Sequence, residues 1–226
     1  KNLNFAYNPG DYVLQDVSFH LPAGKTLAIV GHTGSGKSSI INLISRLYDW
    51  QEGDILLDGI PIKEYDLNFY RKQISTVLQD VFLFSGSILD NIRLLDQSIS
   101  DEEIKHAAKL IGANEFIEKL PNQYNYQVME RGATLSLGQR QLISFVRALV
   151  FKPKILILDE ATSSVDSETE FIVQQAINKL VQNRTSIIIA HRLATISKAD
   201  YVMMLEGGKI ADYGQRETLL NQSGPF

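Results

Sequence analysis

The chain has 226 residues, 44% hydrophobic and 21% charged, the balance of a soluble globular protein with one large or two small cores. Its net charge of -4 gives no global pull toward nucleic acid or anionic lipid, and the absence of cysteine excludes disulfides and thiolate metal sites and agrees with a reducing compartment. No apolar run approaches the roughly 20 residues of a membrane-spanning helix. The sequence opens at KNLNFAY, without an initiator methionine or signal peptide, and closes at SGPF, so it is expected to be a domain of a longer chain.

Along the chain, QDVSFHL (15–21) alternates like a half-buried strand, and Pro22-Ala23-Gly24 marks a turn. KTLAIVG then runs apolar into a glycine-rich loop, and a helix is predicted from Lys37 to about Tyr48. GDILLDG and ISTVLQ suggest two more short strands. From about Val81 to Val150 helical patterns dominate, and Ser100 with Glu103 in SDEEIKHAAKLIG fits a capping box.

LSLGQRQ (Leu135–Gln141) opens an amphipathic helix with Ser136 and Gln139 as a second capping box, and Leu142, Ile143, Val146, Leu149 and Val150 form its apolar face. A cap leaves Gly138 unexplained, because glycine in a first turn costs about 1 kcal/mol relative to alanine. An anion at the amine end of this helix is the other reading.

After Lys152-Pro153 strand and helix alternate again: KILILD, then SETEFIVQQAINKLVQ, then TSIIIA, then a hairpin in YVMMLEGGKIADYG about Gly207-Gly208. Strands without polar alternation, separated by helices, predict a parallel sheet buried on both faces. The expected organisation is an α/β core over about 1–80 and 151–226, with a helical insertion at about 81–150.

GHTGSGKSS (Gly31–Ser39) matches G-x-x-x-x-G-K-[ST] between a predicted strand and a predicted helix. Gly31, Gly34 and Gly36 let the backbone wrap with its N–H groups inward, and Thr33, Ser35 and Ser39 complete the loop. Phosphates would sit on the helix N-terminus, with Lys37 reaching the β- and γ-phosphates and Ser38 holding Mg²⁺. Asp159 and Glu160 follow at the C-terminal end of KILILD, where parallel sheets gather ligand groups. Asp159 would orient Mg²⁺ and Glu160 would polarise the attacking water. Gln79 and His191 also end predicted strands, and each is either a satisfied end-stop or a functional group. Gln79 would reach the metal or the attacking water, and His191 the γ-phosphate.

The phosphate loop, Gln79, LSLGQRQ, ILILDE, SSVD and IIIAHR, in this order and spacing, resemble the ATP-binding-cassette nucleotide-binding domain over nearly the whole chain. FLFSGSILDNI and the ERG at Glu130–Gly132 are similar to the exporter type. The resemblance implies an α/β fold: a phosphate-loop NTPase core with a mostly parallel sheet, an N-terminal antiparallel β subdomain and an inserted α-helical subdomain. It implies ATP and Mg²⁺ as ligands, Tyr7 stacking on adenine, Gln79 sensing transmembrane domains, Asp166 touching the opposite subunit and His191 as the switch histidine. Ser136, Gly138 and Gln139 would contact the γ-phosphate of ATP held by a second nucleotide-binding domain. The implied whole is an ATP-hydrolysing export motor at the cytosolic face of a membrane, with fused or associated transmembrane domains and no nucleic-acid partner.

Two positions depart from the pattern. Leu137 replaces the usual first glycine of the signature, and Met129 stands where exporters often have glycine. Lys37, Asp159, Glu160 and His191 are all present, so a heterodimer with this chain as the competent subunit is expected, with a tolerant homodimer as the alternative. Two other functions compete: a chromosome or DNA-repair ATPase, disfavoured by the absence of sustained heptads between Ser38 and the signature, and a regulatory ATP-binder, disfavoured by Glu160 and His191. A GTPase is disfavoured by the absence of an NKxD motif.

Overall fold

The apolar runs TLAIV, ILILD and TSIII are long enough for strands and too short for helices, and they form the centre of the sheet. The computed structural model describes residues 1–159, 167–190 and 193–221. These residues divide into two compact units, the first comprising 1–74, 154–159, 183–190 and 193–221, the second 75–153 and 167–182.

The first unit holds β1 (Leu3–Ala6), β2 (Tyr12–Val17), β3 (Thr26–Val30), α1 (Lys37–Ile44), β4 (Leu56–Leu57), β5 (Ile60–Pro61) and α2 (Leu67–Lys72). It also holds the start of β6 (Ile74–Val77), then β9 (Ile155–Asp159), β10 (Thr185–Ile189), α8 (Leu193–Ile196), β11 (Tyr201–Glu206), β12 (Lys209–Gln215) and α9 (Arg216–Leu220). The second unit continues with β7 (Gly86–Ser87), α3 (Ile88–Arg93), α4 (Asp101–Ile111), α5 (Asn114–Ile117), β8 (Gln127–Val128), α6 (Leu137–Val150) and α7 (Ser167–Val181).

In the first unit the sheet order is β12-β11-β3-β10-β9, parallel from β11 to β9, with β12 antiparallel at one edge. At the other edge Gln73, next to the first residue of β6, accepts the N–H groups of Lys154 and Ile155 at 2.9 and 3.0 Å. Alternate residues of β3 face opposite cores. Leu27 and Ile29 pack with Ile40 and Leu43 of α1, while Ala28 packs with Ala190 and Ala199. Burial on both faces is the physical reason these strands lack polar alternation. A separate antiparallel pair, β1 with β2, adds Leu3, Phe5 and Leu14 to the larger core.

Several element bounds differ from expectation: β6 ends at Val77, so Gln79 lies beyond the strand it is expected to close, and two others have a clear backbone cause. The strand expected over 15–21 is observed at Tyr12–Val17, because its pairing with β1 ends where Val17 meets Leu3, and Asp16 stands at φ +50° beside a register shift. The helix expected to reach Tyr48 stops at Ile44. Arg46 adopts φ +52°, and the Leu47 N–H reaches back to the Asn42 carbonyl at 2.9 Å, which closes the last turn.

The second unit is mainly helical. α6 packs against α3, α4 and α7, with Ile143 and Val146 fully buried and Leu142, Leu149 and Val150 nearly so. Both capping boxes form: the Ser100 hydroxyl accepts from the Glu103 N–H and the Ser136 hydroxyl from the Gln139 N–H, each at 3.2 Å. Glu103 also accepts from Lys152 at 2.8 Å, tying the start of α4 to the second residue after α6. The strand–helix alternation assigns the helix at 167–181 to the core, whereas it groups with the helical unit. Among the described residues, no helix is long and apolar enough to cross a membrane.

Candidate nucleotide site

The phosphate loop links β3 to α1, and three backbone features shape it. Gly36, the N-cap of α1, stands at φ +103°, where a Cβ would come 2.7 Å from Leu14 Cδ2 and 3.2 Å from the Val13 carbonyl oxygen. Only glycine fits that left-handed, crowded position. The Ser35 N–H donates to the His32 carbonyl at 3.1 Å, and the Ser35 carbonyl accepts from the Gly208 N–H at 3.2 Å. The hairpin turn after β11 therefore holds the loop from outside.

Lys37 is the first residue of α1 and keeps only 7% of its surface exposed. Its Nζ donates to the carbonyls of Gly31 and His32, each at 2.8 Å, so the ammonium lies folded under the loop. Burial lowers its pKa, opposed by the carboxylate of Asp159. An anion brought to this loop would favour the charged ammonium further. Ser35 Oγ is buried and has no hydrogen-bond partner among the described residues, an acceptor-donor group awaiting one. Ser38 is exposed in the first turn of α1, as are Thr33 and Gly34 in the loop, whereas Ser39 is buried.

Asp159 ends β9, half-buried. Its register partner on β10 is Ile189, which in turn pairs with Ile29, two residues before Gly31. The sheet thus brings Asp159 level with the mouth of the phosphate loop, one strand away. That is the geometry of a carboxylate that can act on a cation held by bound phosphates. Glu160, Asp166 and His191 lie outside the described residues.

Tyr7 follows β1 and stays 44% exposed. Its hydroxyl lies 3.1 Å from Ser39 Oγ and accepts from Asn42 Nδ2 at 3.2 Å, and both partners sit on α1. The aromatic that the resemblance assigns to the base is therefore tied to the helix that carries Lys37. No motif points to Asn42, nor to Val13, to Gly208 or to Leu205, whose carbonyl oxygen would clash with a Cβ on Gly31. A side chain one turn further along a helix, or a backbone oxygen on another strand, leaves no motif.

In the second unit Gln79 is exposed, two residues beyond the end of β6, among exposed Leu78, Phe82 and Phe84. Phe82 and Phe84 meet edge to face at 5.0 Å. Ser136 caps α6, Gly138 is buried in its first turn and Gln139 returns its side-chain carbonyl to the Ser136 N–H at 3.0 Å. Arg140 reaches from this turn to the Arg131 carbonyl at 3.0 Å. Gly132, at φ +70°, leaves room for the Arg140 stem, which a Cβ would meet at 2.7 Å. The ERG turn and the signature helix are thus packed as one local body.

Known proteins sharpen the assignment. Residues 14–163 match the family described as ABC transporter. The chain is 52% identical over 226 residues to the ABC transporter ATP-binding protein YknV of Bacillus subtilis, covering all of this chain and 37% of that protein. It is 46% identical over 228 residues to the ATP-dependent lipid A-core flippase of Haemophilus influenzae, covering all of this chain and 39% of that one. Among solved structures, a bacterial Atm1-family ABC exporter with ATP bound superimposes with a TM-score of 0.90 at 38% identity, over 99% of this chain and 39% of the exporter. The chain therefore spans well under half the length of these relatives. It belongs to the ABC transporter family, as a nucleotide-binding domain of the exporter type.

Proposed function

We propose that this chain is the Mg²⁺-dependent ATPase that drives export through transmembrane domains fused to or associated with it, at the cytosolic face of a membrane. The observation that carries the reading is the buried Lys37 ammonium folded under a glycine-built loop, with Asp159 level with it in the sheet. A triphosphate entering the loop offers Lys37 anionic oxygens in place of the Gly31 and His32 carbonyls, and offers a hydrogen-bond partner to Ser35 Oγ, which has none among the described residues. Tyr7 receives the adenine.

Mg²⁺ bound here would neutralise phosphate charge, and Ser38 and Asp159 of the first unit are the residues to hold it. Among the described residues there is no cluster of three or more metal-binding side chains. Glu160 polarises the water whose oxygen forms a bond to the γ-phosphorus and takes up the proton that the water loses. The bond to the β–γ bridging oxygen breaks as it does so, and that oxygen leaves on ADP, with His191 supporting the γ-phosphate oxygens.

A second nucleotide-binding domain completes each site, its signature helix closing over ATP bound here. Ser136, Gly138 and Gln139 do the same for the partner's ATP. Leu137, the first residue of α6 and half-buried, places a branched side chain where the arriving phosphate needs backbone approach. This supports a heterodimer in which the chain's own phosphate loop meets an intact partner signature.

The test is light scattering of the Glu160→Gln variant with Mg-ATP. An ATP-bound monomer that dimerises only when a nucleotide-binding domain with an LSGGQ signature is added is the expected result. A stable dimer of this chain alone would replace the heterodimer with a homodimer.

A further inference from the structure

Tyr7 is held from three sides. Beyond the contacts to Ser39 and Asn42 at 3.1 and 3.2 Å, its ring meets Phe5 edge to face at 4.7 Å with a 77° interplanar angle. Tyr48 meets it at 5.0 Å and 88°. Phe5 is 1% exposed and gives a fixed floor, whereas Tyr48 is 49% exposed. A half-exposed ring that contributes little to the core and stands perpendicular to Tyr7 suits orientation better than packing.

Asn42 and Ser39 lie three residues apart on α1, the spacing that puts two side chains on one helix face. The tyrosine hydroxyl bridges them. An exposed aromatic would otherwise exchange rotamers, and freezing it on ligand binding costs entropy. A ring already fixed avoids that cost at the moment of stacking.

We infer that Asn42 and Tyr48 are positioning residues for base recognition, holding Tyr7 in its stacking pose before the nucleotide arrives. The inference rests on Tyr7 being the adenine platform. It adds that base affinity is set by α1 and the segment following it, and not by Tyr7 alone. Because α1 also begins at Lys37, one helix aligns the two ends of the nucleotide.

The experiment compares affinity for ATP with affinity for inorganic tripolyphosphate, both with Mg²⁺, across variants of the chain. Tyr48→Ala and Asn42→Ala are each expected to weaken ATP about three- to tenfold and tripolyphosphate less than twofold, since each removes one contact of modest size. Tyr48→Phe keeps the ring and restores ATP affinity. In a Tyr7→Phe background, Asn42→Ala costs nothing further, because its acceptor is already gone. Equal losses for ATP and tripolyphosphate, or losses that add fully in the Tyr7→Phe background, overturn the inference. If Tyr7→Ala weakens ATP selectively while Tyr48→Ala and Asn42→Ala do not, the positioning role fails and the platform stands. If Tyr7→Ala leaves ATP and tripolyphosphate unchanged, the platform itself fails, and the inference with it.

Discussion

Lys37 hydrogen-bonds the Gly31 carbonyl at 2.8 Å across the loop that it is expected to serve, so the ammonium is stored inside the phosphate loop. The store suits a slim primary ammonium on a buried stem. A planar guanidinium differs in shape and donor geometry, so Lys37→Arg keeps the charge but loses the fit. We expect Lys37→Arg to weaken Mg-ATP by at least about tenfold, consistent with the 1.5–3 kcal/mol of a hydrogen bond to a charged group. Titration calorimetry checks this, with thermal melting to confirm that the variant is folded.

Gly36→Ala tests the crowding at the loop's end. A Cβ at φ +103° would press on Leu14 and on the Val13 carbonyl, and backbone strain adds to overpacking. The expected cost is about 2–3 kcal/mol of stability. Chemical denaturation reads it as a lower midpoint with an unchanged slope.

Ser136→Ala removes the cap of α6 and leaves the Gln139 N–H without its side-chain acceptor. The expected loss is about 1 kcal/mol. Ser136→Asp keeps an acceptor and so should retain most of that stability, which separates the capping role from any role toward a partner's phosphate.

Leu137→Gly addresses the departure in the signature. Combined with a partner domain, it should raise turnover at the composite site that uses this chain's signature and leave the other unchanged. Site-resolved single-turnover hydrolysis measures this, and equal acceleration at both sites contradicts the heterodimer. The substitution also replaces leucine with glycine in a first turn, at a cost of about 1 kcal/mol.

Acid stability has an identifiable contributor at the start of the sheet. Burial would raise the pKa of Asp200, but the Thr26 N–H at 2.9 Å and the Lys25 ammonium at 3.0 Å outweigh it and hold the carboxyl below its ordinary range. A carboxylate depressed in the folded state adds stability that is present above its unfolded pKa, near 4, and is lost as pH falls through the folded value. Asp200→Asn should therefore lower the melting midpoint at pH 7 and make the midpoint fall less steeply below about pH 4. An unchanged acid limb would show that other carboxylates govern it.

What the sequence reveals depends on the distance over which the cause acts. β3, β9 and β10 announce themselves because burial on both faces forces an unbroken apolar run. The two capping boxes are legible because both partners lie within four residues. The same is true of the phosphate loop, whose glycines and lysine are contiguous. Conversely, the support that Val13 and Gly208 give the loop joins chain segments far apart in sequence, and no local pattern reports it. The early end of α1 at Ile44 escapes for another reason: Ser45 through Tyr48 carries no glycine or proline, and the left-handed Arg46 that stops the helix has no residue preference to betray it. Tyr7 is recognisable only through resemblance, and its tethers to Asn42 and Ser39 only through the fold.

The most direct test of the whole account is Mg-ATP binding to the chain by titration calorimetry, beside the Lys37→Met variant. The expected result is one ATP per chain for the unaltered protein and an affinity loss of about 10- to 100-fold in the variant, with both folded. Equal binding by the two would contradict a phosphate site built around Lys37.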